Sequence, residues 1–342
     1  MSFILSLLLH LLIGQAAETE TIETDQIDGT PASEFRGYFM REHSLVRPYQ
    51  TVGSNVPYWN IVGSTIVTEN QIRLTGDIQS QSGSIWNNMA CPARDWELVV
   101  DFRVHGSTGS LFGDGLAIWY TQEPNVLGPV FGSKDYFRGL GIFLDTYSNH
   151  NGVHSHSHPY ITAMVSNGTL HYDHDSDGTH TSLGGDHTGC EARFRNAEHS
   201  TQILVRYVGD VLSVYTNLKG DDIWRRCFIV AGVHLPPYYY FGVSAATGQL
   251  SDNHDVIAVR TFKQTFARVE REGEPLVPIE PSADNVAAPR DHLDDSSRRP
   301  SRLGWIGTLL LVIVAIAVVL GALGIGLAFF QRQQQRARKR FY

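Results

Sequence analysis

The sequence predicts an all-β protein in which a jelly-roll β-sandwich domain is followed by a single transmembrane helix. Two observations support this fold class. Between residues 35 and 267, apolar and polar residues alternate in short segments separated by clusters of Gly, Asn, Asp and Ser. Near the C-terminus, residues 303–330 form an apolar stretch without a charged residue. About 230 residues of short strands fit one sandwich better than two small domains.

The alternation places individual strands along the chain. In residues 96–105, apolar side chains alternate with Glu97, Asp101 and other polar residues, as expected for a half-buried strand. Residues 203–207 and 211–215 flank a Gly-Asp pair, which predicts a β-hairpin. Further strands are predicted at residues 115–120, 139–144, 160–165 and 238–244.

Both ends of the chain indicate a membrane protein of the secretory route. Residues 1–17 are mostly apolar and end in small residues, as a signal peptide does, and the acidic residues 18–34 are expected to form a flexible segment. The stretch 303–330, about 28 residues, would span roughly 42 Å as a helix and therefore cross a bilayer once. Residues 268–302 are rich in Pro and charged residues and are predicted to form a luminal stalk.

The charge of the tail predicts the orientation of the protein. Residues 331–342 carry five basic residues and no acidic one, which indicates a cytosolic tail and a type I protein with a luminal sandwich. In that compartment Asn167, which begins an N-x-T triplet, is a predicted glycosylation site. Cys190 and Cys227 are predicted to form a disulfide. Cys91 is then a buried free thiol or, alternatively, the site of an intermolecular bridge.

The composition excludes several functions. The 342 residues include 27 basic and 35 acidic ones, for a net charge of -8. Nucleic acid is not expected as a partner, because its binding depends on clustered Lys and Arg. Three cysteines without a C-x-x-C pair make a thiolate zinc site unexpected. The stalk has no heptad repeat, so we expect a monomer or a weak oligomer.

Acidic, amide and glycine residues gather in three segments, which are GDG at 113–115, FLDTYSN at 143–149 and YDHDSDG at 172–178. Carboxylate, amide and carbonyl oxygens are the ligands that Ca²⁺ prefers, although the spacing is not that of an EF-hand. Each segment taken alone is equally consistent with a polar β-turn.

Together with five further motifs, and in the same order, these segments resemble the leguminous-type (L-type) cargo lectins of the animal secretory pathway. The additional motifs are GSIWN at 83–87, GLAIWY at 115–120, GSKD at 132–135, FRN at 194–196 and LSDNHD at 250–255. The resemblance covers residues 35–266 and extends to the single span and the short tail. It implies a concanavalin-like jelly roll and a calcium-dependent lectin that binds high-mannose N-glycans.

The resemblance also implies the residues of the binding site. Calcium is expected at the side chains of Asp145, Asn149 and Asp177 and at the backbone carbonyl of Tyr147. Mannose is expected at Ser80, Asp114, Asn149 and His174, together with the backbone of Gly248, Gln249 and Leu250. Close relatives carry Gly-Asp-Leu where this chain has Gly248-Gln249-Leu250, so backbone contacts are expected there and a contact through the side chain at 249 is not.

Histidine is unusually frequent between residues 148 and 158, at His150, His154, His156 and His158. We interpret this segment as a variable solvated loop, and a transition-metal site within it is the alternative. Residues 184–188 resemble a short insertion before Cys190.

The resemblance implies a cargo receptor or quality-control lectin of endoplasmic reticulum, intermediate-compartment and Golgi membranes. In the tail, Arg338, Lys339 and Arg340 resemble a retention or retrieval signal. Phe341 and Tyr342 resemble an export signal that vesicle coat components read. The alternative is a stop-transfer anchor that binds anionic lipid.

Two other functions are compatible with a jelly roll. A glycoside hydrolase needs two carboxylates across the scissile bond, and Asp114 with Asp145 is the available pair. A calcium-bound Asp145 would not be free to act as nucleophile or base, so no enzyme is expected. A cell-surface adhesion lectin would need a signalling tail, for which residues 331–342 leave little room.

Overall fold

The computed structural model describes residues 37–49, 55–107, 109, 111–149, 156–185, 188–265 and 279–284, together with the backbone of a helix over 302–338 and its side chains over 313–332. The predicted signal peptide, the flexible segment 18–34 and tail residues 339–342 lie outside the described residues. The predicted sandwich and the predicted membrane helix belong to two separate compact units, residues 1–290 and 291–342.

Seventeen β-strands are present among the described residues. In chain order they are β1 Tyr38–Phe39, β2 Trp59–Gly63, β3 Ile66–Val67, β4 Ile72–Thr75, β5 Ser82–Asn87, β6 Trp96–His105, β7 Gly115–Thr121, β8 Arg138–Asp145, β9 Tyr160–Asn167, β10 Cys190–Glu191, β11 Thr201–Val208, β12 Val211–Asn217, β13 Arg225–Ala231, β14 Val233–His234, β15 Tyr240–Ala246, β16 Asn253–Lys263 and β17 Ser282–Ala283. Three short 3-10 helices lie at Arg41–His43, His174–Ser176 and Thr179–Thr181, and α1 is Arg302–Arg338.

Fifteen of these strands form two antiparallel sheets and confirm the predicted all-β sandwich, and β14 and β17 form a separate two-stranded sheet. One sheet has the order β13-β12-β11-β6-β16-β4-β3, with β1 added beside β16, and the other has the order β10-β9-β8-β7-β15-β5-β2. The predicted hairpin is β11 and β12. Gly209 and Asp210 both have positive φ at its turn, 61° and 63°, which matches the twist of the flanking strands.

The seven-stranded sheet is covered on both faces, which makes it a rigid support for the loops at its edges. In β7, Leu116, Ile118 and Tyr120 belong to the main core between the sheets. Ala117 and Trp119 point to the opposite face, into a second buried cluster. The second cluster is completed by the large side chains of Trp86, Val130, Phe131, Phe137, Phe143, Met164 and Tyr172.

Strand β6 differs from its prediction as a half-buried strand, because Glu97 and Asp101 on its polar face are buried as well. Glu97 has no exposed side-chain area and accepts a hydrogen bond from Arg206 Nε at 2.8 Å. Asp101 is 6% exposed and pairs with Arg260 at 2.7 Å. Paired charges can be buried where single charges cannot, and the alternation of residue types does not reveal such pairing.

Cys190 and Cys227 form the predicted disulfide. The bridge joins β10, at one edge of the seven-stranded sheet, to β13, at one edge of the other sheet. It therefore ties the two layers together. Cys91 is buried and unpaired, and burial raises the pKa of its thiol to about 12, which fits the predicted free thiol.

The predicted stalk departs from an extended linker at residues 279–284. Within it, β17 pairs with β14, with Ala283 opposite Val233 and Ser282 opposite His234. The Asp284 amide also donates a hydrogen bond to the Gly232 carbonyl at 2.9 Å. The proline-rich composition did not indicate this strand.

Helix α1 contains the predicted transmembrane segment. Residues Ile313–Arg332 have a mean hydropathy of 2.7 and are long and apolar enough to cross a membrane. Large apolar side chains between Ile313 and Phe330 are exposed in this unit, as expected for a surface that faces lipid.

Candidate functional site

The ends of five strands meet along one edge of the seven-stranded sheet and support the candidate site. A single row of paired residues crosses this edge, in the order Ser82, Ala246, Gly115, Asp145 and Tyr160. The segments with Ser80, Asp114, Asp145 and Gly248 each enter or leave a strand in this row, and the segment 172–178 is joined to it by the hydrogen bond from the Asn149 amide to Asp177. The segments with Ser80, Asp114 and Gly248, and the loop after Asp145, are therefore neighbours although up to 170 positions separate them in the sequence.

Two carboxylates form the acidic centre of the site. Asp145 ends β8, and Asp177 follows the 3-10 helix His174–Ser176 in a left-handed conformation with φ 51°. They are 8% and 6% exposed. The amide of Tyr147 donates to Asp145 Oδ1 at 3.0 Å, and the amide of Asn149 donates to Asp177 Oδ1 at 2.8 Å. These bonds fix the loop 146–149 against both carboxylates.

Glycine is required next to Asp177. Gly178 has φ +67°, and a Cβ atom there would lie 2.4 Å from the ring of Tyr172. Because glycine has no Cβ atom, the chain can turn against the Tyr172 ring immediately after Asp177.

The two carboxylates of this centre repel each other in a buried environment. Burial raises the pKa of Asp145 well above its usual range, and the neighbouring Asp177 raises it further. Burial also raises the pKa of the Tyr172 phenol, with added contributions from Asp145 and Asp177. Two buried carboxylates at one place are costly unless a cation is bound, so the electrostatics of the site fit a divalent ion.

Two buried hydroxyl groups at this centre point to the same conclusion. Thr146 and Tyr172 are 2% and 1% exposed, and neither Thr146 Oγ1 nor Tyr172 Oη has a hydrogen-bond partner among the residues that the structure describes. Buried polar atoms are rarely left unpaired, and the water ligands of a bound metal would supply partners. The exposed side chain of Asn149 and the backbone of Tyr147 complete the set of oxygen donors on this loop.

His158 also belongs to this centre. Its Nε2 lies 3.9 Å from Asp145 Oδ2 and 3.8 Å from Asp177 Oδ2, and its side chain is 5% exposed. Asp145, His158 and Asp177 offer ligand atoms that all lie within 4.8 Å of one another. Burial lowers the pKa of His158, although Asp177 opposes this shift. The expectation that residues 148–158 form a solvated loop is therefore wrong for His158.

Asp114 lies beside the acidic centre and faces the loop after β15. Its carbonyl accepts a hydrogen bond from the Thr146 amide at 3.0 Å, which connects it to the loop that follows Asp145. Burial raises the pKa of its carboxyl group, and His174 opposes this shift. A Cβ atom on Gly248 would lie 3.1 Å from both carboxylate oxygens of Asp114, so glycine leaves this carboxylate accessible.

The loops that carry Ser80 and Gly248 are bound to each other. The Ser80 amide donates to the Gly248 carbonyl at 3.0 Å, and Gln79 Nε2 donates to the Gln249 carbonyl at 2.6 Å. Thr247 Oγ1 donates to the Ile78 carbonyl at 2.7 Å. The side chain of Gln249 is exposed, and Leu250 is half-buried.

His174 lies close enough to Asp114 to influence its carboxyl group. Its ring packs against Phe131 and Tyr172, with centroid distances of 5.5 and 4.8 Å, and its Nε2 is 3.0 Å from the Pro129 carbonyl. If Nε2 donates to that carbonyl, Nδ1 is left as an acceptor.

The structure thus brings all of the predicted calcium and mannose residues to one edge, and it adds His158. The row of paired strand ends is visible only in three dimensions, and the spacing of histidines gave no means to select His158 from its neighbours.

Asn167 is exposed at the end of β9. Of the predicted trafficking residues, Arg338 ends α1, and Lys339, Arg340, Phe341 and Tyr342 lie outside the described residues.

Known proteins are similar in sequence to this chain over most of its length. The Vesicular integral-membrane protein VIP36 of Mus musculus is 46% identical over 312 residues, which cover 89% of this chain and 85% of the relative. The VIP36-like protein of Mus musculus is 43% identical over 308 residues, which cover 89% of this chain and 86% of the relative.

Solved structures share the fold. The VIP36 exoplasmic/lumenal domain in its Ca²⁺/Man-bound form matches with 48% identity and a TM-score of 0.67, over 72% of this chain and 98% of that domain. Its metal-free form matches with 49% identity and a TM-score of 0.65, over 72% and 99%. The profile of the legume-like lectin family matches residues 36–271. On these grounds the chain belongs to the legume-like lectin family.

Proposed function

We propose that this protein is a calcium-dependent lectin that binds mannose in high-mannose N-glycans and serves as a cargo receptor of the early secretory pathway. The observation that carries the proposal is the common location of the acidic centre and the Asp114 loops at one sheet edge. The related VIP36 lumenal domain, 48% identical, has been solved with Ca²⁺ and mannose.

Asp114 and Asn149 are the principal sugar-binding side chains in this proposal. A sugar hydroxyl both donates and accepts hydrogen bonds, so the Asp114 carboxylate accepts from one hydroxyl while the Asn149 amide bonds to another. Ser80 and His174 lie on neighbouring loops and would fix the orientation of the ring. The carbonyls of Gly248 and Gln249 already accept hydrogen bonds from the Ser80 loop, so we expect the backbone amides of residues 248–250 to face the sugar.

Calcium would be held by Asp145, Asn149 and Asp177 and by the Tyr147 carbonyl, and when bound it would offset the repulsion between the two carboxylates. The amide of Asn149 is bonded to Asp177. Neutralising Asp145 and Asp177 therefore stabilises the loop that positions the Asn149 side chain. In this account the metal preorganises the sugar site.

A cargo lectin of this kind requires membrane anchoring and sorting. We assign α1 as the single span, with the lectin domain luminal, in endoplasmic reticulum, intermediate-compartment and Golgi membranes. The tail residues Arg338, Lys339, Arg340, Phe341 and Tyr342 are assigned to recognition by vesicle coat components. Asn167 is assigned as a luminal glycosylation site, consistent with its exposure, and the protein is expected to be a monomer or a weak oligomer.

A glycan array with the full chain in detergent tests the lectin function. Wild type should retain high-mannose glycans in calcium and release them when a chelator is added. Asp114→Ala should abolish binding, whereas Asp221→Ala should not, because Asp221 is exposed and paired with Arg225 beside β13. Equal retention by Asp114→Ala and Asp221→Ala would overturn the proposed site. Release of a reducing sugar from the glycans would show an enzyme instead.

The sorting signal needs a separate experiment in cells. Deleting Phe341 and Tyr342 should slow export of the protein from the endoplasmic reticulum, measured by acquisition of Golgi-type N-glycans at Asn167. Substituting the neighbouring Gln333 and Gln334 by Ala is the matched control and should leave export unchanged. Normal export of the truncated chain would remove the assigned role of the two aromatic residues.

A further inference from the structure

The metal centre contains an imidazole in addition to the oxygen donors assigned to calcium. His158 precedes β9, whose first residue, Tyr160, is paired with Asp145 across the sheet edge. This register holds His158 next to the acidic centre. Its Nε2 lies at nearly equal distances, 3.9 and 3.8 Å, from one oxygen of Asp145 and one oxygen of Asp177.

The other ring nitrogen determines which atom faces the carboxylates. His158 Nδ1 lies 3.0 Å from the carbonyl oxygen of His156, which can only accept a hydrogen bond. The proton of a neutral imidazole is therefore on Nδ1, and the Nε2 lone pair faces the two carboxylates. Histidine ligands of metals have this arrangement, in which the distal nitrogen donates to a backbone carbonyl and orients the ring.

The distances match ligands of one shared ion. At 3.8 and 3.9 Å, Nε2 is too far from either carboxylate oxygen for a hydrogen bond. Donor atoms that each bind a single transition ion at about 2.1 Å are separated by no more than roughly 4.2 Å. A lone pair directed at two buried carboxylates is unfavourable unless a cation lies between the three groups.

We propose that His158 Nε2 is a metal ligand, and that the site therefore binds a divalent transition metal ion such as Zn²⁺ or Mn²⁺ in competition with calcium. Calcium takes hard oxygen ligands, whereas imidazole is a preferred ligand of the transition ions. One nitrogen with two carboxylates is a donor set for such ions. The inference rests on the proposed metal site of the lectin, and it adds that this site binds transition metal ions as well as calcium.

A neighbouring histidine provides the matched control. His156 lies two residues before His158, but its ring stacks on Tyr160 at a centroid distance of 4.1 Å. It is not among the residues that form the Asp145, His158 and Asp177 group. His158→Phe keeps an aromatic ring in the buried position and removes the nitrogen, and His156→Ala removes an imidazole outside the group.

Metal affinity tests the proposal without reference to sugar binding. The full chain, purified in detergent without a polyhistidine tag, is titrated with Ca²⁺ and with Zn²⁺ by isothermal titration calorimetry. His158→Phe should weaken the first equivalent of Zn²⁺ at least tenfold and change calcium affinity less than threefold. His156→Ala should change neither. Equal zinc affinity in wild type and His158→Phe would overturn the proposal.

Pulsed electron paramagnetic resonance of Mn²⁺ at one equivalent gives a readout that does not depend on affinity. Wild type and His156→Ala should show nitrogen modulation from a bound imidazole, and His158→Phe should show none. Absence of nitrogen modulation in wild type would overturn the proposal. If calcium binds and supports mannose binding in that case, the lectin function stands. If neither calcium nor zinc binds to wild type, the proposed function fails as well.

Discussion

Gly248→Ala should weaken mannose binding while leaving the metal site intact. The added methyl group would lie 3.1 Å from both Asp114 carboxylate oxygens, closer than an ordinary van der Waals contact. The carboxylate must then rotate or shift by a few tenths of an ångström. Asp114 precedes Gly115, the neighbour of Asp145 in the cross-sheet row, but is not one of the assigned calcium ligands, so calcium binding should be retained.

The size of the effect follows from the hydrogen bond that is lost. A hydrogen bond to a charged group contributes about 1.5–3 kcal/mol, and misplacing the Asp114 carboxylate removes one such bond to a sugar hydroxyl. The dissociation constant for mannose should therefore rise about 10- to 150-fold. Titration calorimetry with mannose at saturating calcium measures this change, and a calcium titration of the same variant should match wild type.

Gly76→Ala is the matched control for this substitution. Gly76 lies on the adjacent loop, and a Cβ atom there would be 3.5 Å from its nearest neighbour, Gln81 Oε1, which is ordinary contact. The two variants should have similar thermal stability. If Gly248→Ala binds mannose as tightly as Gly76→Ala does, the Asp114 carboxylate does not hold the sugar in the way proposed.

Three further results are expected from other parts of the domain. Replacing both Cys190 and Cys227 by Ala should lower the free energy of unfolding by about 4 kcal/mol, because the bridge closes a loop of 37 residues; denaturant unfolding checks this, and a loss below about 1 kcal/mol would contradict it. Gln249→Asp should change mannose affinity less than about threefold, since the side chain is exposed and the expected contacts are through the backbone; a larger change on a glycan array would show a side-chain contact. Burial lowers the pKa of His254 to about 3, so the unfolded chain takes up a proton below pH 6.5 that the folded chain does not. The burial of His254 should therefore cost about 1 kcal/mol of stability per pH unit as the pH decreases from 6.5 towards 3. His254→Gln should reduce this slope in urea unfolding and His199→Gln should not; equal slopes would contradict the assignment.

The sequence could predict the fold and most of the site because both depend on short, separated motifs. The alternation of residues identified the β6 and β7 strands and the β11–β12 hairpin, since apolar side chains on one face must be buried. The polar segments beside Asp114, Asp145 and Asp177 were recognisable in their order. The row from Ser82 to Tyr160 shows why the Asp114 and Asp145 segments occur together, because each adjoins a strand end on the same sheet edge, and Asp177 is joined to them through the Asn149 amide.

Features that depend on pairing across the fold could not be predicted. Glu97 is a typical solvent-facing residue in an alternating strand, and its burial depends on Arg206, which lies 109 positions away. Ser282 and Ala283 form β17 only because β14 offers an open edge. His158 is one of four histidines in a short segment, and the register of β9 against β8 alone distinguishes it from His156. Spacing along the chain contains none of this information.

We propose above all that a divalent metal at Asp145 and Asp177 organises the mannose site. Equilibrium binding of a high-mannose glycan to the full chain, measured as a function of free calcium, tests it most directly. Glycan binding should be absent in chelator, rise with calcium to saturation and be lost in Asp177→Asn at the same calcium concentration. Glycan binding that is equally strong in chelator and in calcium would contradict it.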